Sequence, residues 1–301
     1  MLLKQKGEKM KLTSKIALAL GLIVTLTACG SGETKKEDAP KEEAKTESKD
    51  TTETAKSSDP INIKIGVVGE FNEVLEEVIK RYEEGTGNTA ELVKFADYNQ
   101  PNEALASGDI DLNAFQHHKF LDEFNQDRGS DLVAIGDTML APIALYSNEI
   151  KSLDEIADGA KIAIPNDPSN GSRALFLLQD AGLIKVDGEP GDIIGLDNIT
   201  ENAKNLELIE MDASETARSL DDVDAAIVND TFALDSGLEK EKSIYTENPE
   251  SESVKQYINL IAARKEDENN ENYKEFVKYY QSEETKEDFE TFTKGSWIPA
   301  W

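Results

Sequence analysis

Cysteine is almost absent from this chain, with one in 301 residues, which excludes an intrachain disulfide and leaves the fold to its hydrophobic core. Histidine is nearly as scarce. The two present, His117 and His118, are adjacent and so point apart on a strand or helix. With neither an i, i+4 partner nor cysteines nearby, they do not make a metal site. Positive charge is also short, at 32 Lys and Arg against 61 Asp and Glu for a net charge of −29. No basic cluster is interleaved with stacking aromatics, which excludes nucleic acid as a partner. No Ser, Cys or paired carboxylate falls in a base-supported arrangement, and this counts against an enzyme, although two acids distant in sequence could still meet in space. What remains is a soluble, acidic body of one or two domains.

The N-terminal segment is different in kind. Met10 to Gly30, MKLTSKIALALGLIVTLTACG, has a lysine-bearing start and an apolar core from Ile16 to Leu26 that is too short to span a bilayer comfortably. Small residues then lead to Cys29, so residues 1–28 read as an export signal, with Met10 a second possible start. Leu26, Thr27, Ala28 and Cys29 resemble a bacterial lipobox, in which the cysteine becomes the lipidated, palmitate-bearing first residue. Residues 29–59 are mostly Lys, Glu, Thr, Ser and Ala, and cannot bury enough surface to offset the entropy of ordering, so they are expected to be a disordered tether. The body would then sit on the extracytoplasmic face of the cell membrane, held by lipid.

From Ile61 the pattern changes. INIKIGVVG alternates as a strand, Phe71 to Glu84 has the i, i+3, i+4 spacing of a helix stopped by Gly85 and Gly87, and TAELVKF is a second strand. Short helices are expected over Ala104 to Ser107, His118 to Asn125, Leu153 to Ala157, Glu215 to Leu220 and Phe232 to Leu238. Strands are expected at GDIDLNAF, Asp131 to Ile135, Ala141 to Tyr146, LELIEM, DAAIV and Tyr257 to Ala263, with a last amphipathic helix over Asn272 to Thr293. This alternation predicts an α/β fold with parallel strands, and about 240 ordered residues predict two lobes.

The stretch Lys161 to Gly182, KIAIPNDPSNGSRALFLLQDAG, reads as strand, polar loop and buried helix, with Ser172 as N-cap and Gly182 as stop. Arg173 in its first turn would meet an already positive helix end, so it needs an anion there: a ligand's carboxylate or phosphate, or a surface partner such as Asp167 or Asp180. Three more polar clusters follow strands, at Ala96 to Asn102, Asn113 to His118 and Asn229 to Phe232, where open α/β sheets place their sites. An arginine for a carboxylate, an amide for an ammonium, and Tyr98 and Phe115 as walls would hold a zwitterionic amino acid, although both aromatics also suit a core. Asp221, Asp222 and Asp224 read as a solvated loop.

The blocks DYNQPNEALASGDIDLNAFQHHKFL, APIALYS, GAKIAIPNDPSNGSRALFLLQDAGLI, LDDVDAAIVN, DSGL and QYINLIAARKED resemble the MetQ/NlpA family, methionine-binding lipoproteins that serve ABC importers. The resemblance implies a two-lobed periplasmic-binding-protein fold of type II character with its ligand cleft between lobes: residues 60–143 with 259–301, and residues 144–258. Strand crossings are implied near Met139 to Ser147 and Tyr257 to Arg264. It also implies a cofactor-free monomer that delivers methionine to a permease. Tyr98, Phe115 and His117 would line the pocket from one lobe, with Asn170, Arg173 and Asn229 from the other. Arg173 would take the carboxylate, Asn229 the amino-acid backbone and the aromatics the thioether. Lys119 and Phe120 stand where many members have Pro-Tyr, and only Tyr257 remains of a second such pair, so the exact ligand stays open: L-methionine leads, with D-methionine, a methionine-containing dipeptide or another small amino acid behind it.

Overall fold

The computed structural model describes residues Asp59–Trp301; the expected signal, Cys29 and nearly all of the tether lie outside the described residues. The first half runs β1 (Asn62–Val68), α1 (Glu73–Thr86), β2 (Thr89–Phe95), α2 (Pro101–Ser107), β3 (Leu112–Asn113), α3 (His118–Arg128) and β4 (Val133–Leu140). It continues with β5 (Ala144–Tyr146), β6 (Lys161–Pro165), α4 (Pro168–Asp180), β7 (Lys185–Val186), β8 (Ile199–Glu201), β9 (Glu207–Met211), α5 (Ala213–Thr216), β10 (Ala225–Val228), α6 (Asp230–Asp235) and β11 (Tyr245–Thr246). The chain ends with β12 (Ile258–Ala263), α7 (Glu271–Tyr280), α8 (Glu283–Thr293) and β13 (Ile298–Pro299).

Two sheets carry these strands, in the orders β13-β4-β12-β3-β1-β2 and β11-β5-β10-β6-β9, beside a small β7-β8 hairpin. The fold is α/β and two-lobed, with one sheet in each lobe. Ile63, Ile65 and Val67 are buried on one face of β1, against Val74, Val78 and Tyr82 of α1 and Phe276 of α7. A side chain at Gly66 would come within 2.5 Å of Ile110 Cδ1, so the middle of β1 has no room for a Cβ. The second lobe has its own core, built around Ile162, Ile164, Leu175, Leu178 and Ile227.

The strands are not all parallel. β12 runs antiparallel to β3 and β4, and β5 antiparallel to β10. These are the strands that enter a sheet just after the chain has crossed between lobes, where no crossover helix returns the chain to the same sheet end. The crossings occupy Ala141–Ile143 and Glu247–Tyr257, so the second lies upstream of Tyr257 to Arg264, most of which is β12. The expected final helix is two helices, because Ser282 accepts a hydrogen bond from Thr285 N and caps α8 afresh. GDIDLNAF contributes only two residues to its sheet. Among the described residues no helix is long and apolar enough to cross a membrane.

Candidate functional site

The carboxyl ends of β3, β6 and β10 open onto one cavity between the lobes, with an empty volume of about 380 Å³ counting its open mouth. Tyr98, Phe115, His117, Asn170, Arg173 and Asn229 all line it, together with Phe120 and Asp230. Three of the six come from loops or caps of the first sheet's lobe and three from the second's.

Helix α4 delivers two of them. Its N-cap is Asp167, not Ser172: the Asp167 carboxylate accepts from Asn170 N at 2.9 Å, and Pro168 fills the first helical position, where no N–H is missed. The helix therefore starts earlier than the sequence suggests, and Arg173 stands beyond its first turn. Ser172 instead accepts from Ile194 N at 2.8 Å, pinning the following loop to the helix. Gly182, at φ 74°, does follow the helix end as expected.

Asp167 begins a chain of amide contacts whose orientations follow one from another. Its two oxygens accept from Asn170 Nδ2, each at 3.1 Å, so Asn170 must turn Oδ1 the other way. That oxygen accepts from His117 Nε2 at 3.2 Å, across the cleft, and from Asn229 Nδ2 at 2.8 Å. His117 Nδ1 in turn accepts from Phe120 N at 3.0 Å, which fixes the ring as the neutral Nε2–H tautomer. Burial, and then the nearby Arg173 charge, push the His117 pKa down to about 3. Asn229 closes the chain. Its Nδ2 is used, and its Oδ1 is buried without a hydrogen-bond partner.

Arg173 is paired within the protein, although not with Asp167 or Asp180. Its Nε donates to Glu247 Oε1 at 2.8 Å, Nη2 donates to Glu247 Oε2 and to the Ala141 carbonyl, and the guanidinium lies 4.3 Å from the centre of the Tyr257 ring. Nη1 takes part in none of these bonds. Glu247 is the site residue the sequence does not reveal: it is one acid among 61, carries no motif, and meets Arg173 across 74 residues.

The aromatics form a cluster that reaches across the cleft. Tyr98 packs on Phe115, Phe120 and Phe232 at centroid distances of 5.8, 5.8 and 5.0 Å. Burial raises the pKa of Tyr98 above its ordinary value. Behind Phe115 and His117, Asn102, Asn113 and Gln116 satisfy one another at 2.6 to 2.8 Å, fully buried. These amides, in two of the polar clusters flagged in sequence, bond each other and hold the His117 loop. Among the described residues no group of three or more His, Cys, Asp or Glu is placed to hold a metal ion.

The sequence matches the family model of the NlpA lipoproteins over residues 63–301. It is 45% identical over 247 residues to the D-methionine-binding lipoprotein MetQ of Escherichia coli K12, covering 81% of this chain and 90% of that one. Two solved structures superpose with a TM-score of 0.76 each. One is the substrate-binding protein of a methionine transporter from Streptococcus pneumoniae, 41% identical, covering 80% of this chain and 96% of that one. The other is a nutrient-binding protein from Burkholderia cenocepacia bound to methionine, 42% identical, covering 79% of this chain and 100% of that one.

Proposed function

The chain belongs to the NlpA lipoprotein family, and from that premise we propose that it is an extracytoplasmic receptor that captures methionine and hands it to an ABC permease. The carrying observation is Asn229 Oδ1, a buried acceptor with no hydrogen-bond partner in the wall of the cavity. An orphaned buried acceptor costs about 1–3 kcal/mol, and a ligand ammonium would supply the missing donor. Arg173, through Nη1, would take the carboxylate. The aromatics Tyr98, Phe115 and Phe120 would enclose the side chain, where a thioether suits them.

Charge balance supports the same ligand class. Arg173 and Glu247 cancel, His117 is neutral, the Asp230 carboxylate is already held by Ser296 and Trp297, and a zwitterion adds no net charge to the buried site. The methionine-binding relatives are consistent with either isomer; L-methionine leads, with D-methionine behind it. In this reading lobe one is residues 60–143 with 259–301 and lobe two residues 144–258, a division that sheet membership supports. The protein is a monomer that turns nothing over, tethered through lipid on Cys29.

Denaturing mass spectrometry of small molecules released from the purified chain, followed by calorimetric titration after ligand-free refolding, tests the proposal. Methionine in about one-to-one amount is expected. Steady turnover of an amino-acid derivative, or no heat from any methionine isomer, would overturn it.

A further inference from the structure

Helix α6 touches the other lobe at both ends. At its start, Asn229 lines the cavity, and the Asp230 carboxylate accepts from Ser296 Oγ at 2.9 Å and Trp297 Nε1 at 2.7 Å, both in the chain's C-terminal segment. At its end is Asp235, which does not line the cavity. Its carboxylate crosses to the turn after β1 and accepts from Glu70 N at 3.0 Å and from Phe71 N at 2.6 Å. The turn is shaped to receive it. Gly69 has φ 83°, and a Cβ there would lie 2.3 Å from Asp235 Oδ2, so only glycine admits the carboxylate. Asn72, just before α1, donates its side-chain amide to the Gly69 carbonyl and caps nothing. The Glu70 and Phe71 amides thus bond the opposite lobe, where turns and helix starts usually satisfy such groups locally.

We propose that Asp235 is the latch of the cleft: a positioning residue that sets how long the ligand is retained by tying α6 to the turn 69–71, without touching the ligand. The proposal rests on the receptor reading for its effect on methionine, though not for the contact itself. Opening the lobes must break both charge-assisted hydrogen bonds and leave water to replace them. Such a contact forms as the lobes close, with or without a ligand between them, so its loss speeds ligand escape and leaves encounter with the open cleft alone. A six-residue helix with a ligand-facing residue at its start and the latch at its end moves both together.

The molecule carries its own reporter. Phe71 packs edge-on against Trp297, with ring centroids 5.6 Å apart, so a loosened turn exposes that indole. The test uses the full-length chain and its Asp235→Ala and Asp235→Asn variants in two measurements. In stopped-flow tryptophan fluorescence with L-methionine, Asp235→Ala is expected to raise the dissociation rate about tenfold and to change the association rate less than about twofold. Asp235→Asn keeps one acceptor oxygen and recovers part of the loss. In the ligand-free chain, acrylamide quenching of tryptophan should rise in Asp235→Ala while the thermal midpoint stays put. An unchanged dissociation rate, or both rates altered together with a lowered midpoint, would overturn the latch. A wild-type chain that gives no response to any methionine isomer overturns the receptor reading instead, and the quenching comparison then decides the latch alone: unchanged quenching sinks it.

Discussion

Arg173 and Glu247 form a buried ion pair in the wall of the cleft, one from helix α4 and the other from the segment in which the chain crosses back to its first lobe. The pair answers the problem that Arg173 poses in the sequence, since the anion a buried guanidinium needs is supplied by the protein itself. Burying both charges is costly, and the attraction between them repays it only while both are present. Glu247 takes one edge of the guanidinium, through Nε and Nη2, and leaves Nη1 for the carboxylate of the proposed ligand.

Removing the acid should therefore be severe. Glu247→Ala leaves an uncompensated buried cation and is expected to destabilise the ligand-free protein by ~3–5 kcal/mol, read from urea unfolding followed by circular dichroism. Methionine, whose carboxylate can replace part of the lost partner, should restore more stability to this variant than to wild type. Equal ligand-induced stabilisation in both would show that the carboxylate does not sit at Arg173.

Asn229 presents the opposite case, a residue whose proposed role lies in the complex. In Asn229→Ala, Asn170 Oδ1 still accepts from His117 Nε2, and the unpartnered Oδ1 disappears with the side chain. Ligand-free stability should change by less than ~1 kcal/mol, while methionine affinity should fall at least ~30-fold, about 2 kcal/mol. Calorimetry and thermal unfolding of the same preparation separate the two effects.

Much of the scaffold is legible in the sequence for a simple reason: β1, β2 and α1 are long enough to show their own periodicity. Strand β2 coincides with TAELVKF, and the apolar positions of α1 face the core. The elements that escape are short or decided elsewhere. β7, β11 and β13 have two residues each and exist only because a neighbour is there to pair with. The break between α7 and α8 is set by Ser282, a weak signal inside an otherwise continuous amphipathic run. The same division holds in the cleft. Asn170 and Asn229, like the amides Asn102, Asn113 and Gln116, are visible as polar residues beyond strand ends, whereas Glu247 acquires its role from a tertiary contact alone.

His117 gives a pH dependence with a definite sign. Its pKa is 6.5 when unperturbed and about 3 in the folded chain. Between those values the unfolded state binds the proton and the folded state does not, so this residue's contribution to stability falls as pH drops from about 6.5 towards 3, by up to ~1.4 kcal/mol per unit. Burial raises the pKa of Asp167 and of Asp230, and their contribution runs the other way, being lost as pH rises through the folded value. The comparison of wild type with His117→Gln cancels those carboxylates. The stability difference between the two should be flat above pH 7 and shift steadily in the variant's favour below pH 6. Imidazole nitrogen shifts in the wild type should report the Nε2–H tautomer down to pH 5; a charged ring at that pH would contradict the hydrogen-bond chain from Asp167.

Ligand analogues test the charge balance of the site directly. Methionine methyl ester keeps the ammonium and removes the carboxylate, bringing a net positive charge into a cavity where Arg173 is already paired. N-acetylmethionine replaces the ammonium with a neutral, bulkier amide that has a single N–H for Asn229 Oδ1, and places a net negative charge near Glu247. Each should bind at least ~100-fold more weakly than methionine, because an uncompensated charge in a water-poor site costs more than a lost contact. Norleucine, which keeps both charges and replaces sulfur with a methylene, should lose far less, since Tyr98, Phe115 and Phe120, which line the cavity, would meet the side chain as apolar surface. If the ester or the acetyl derivative bound as well as norleucine, the site would be recognising the side chain alone, and the paired roles of Arg173 and Asn229 would fall together.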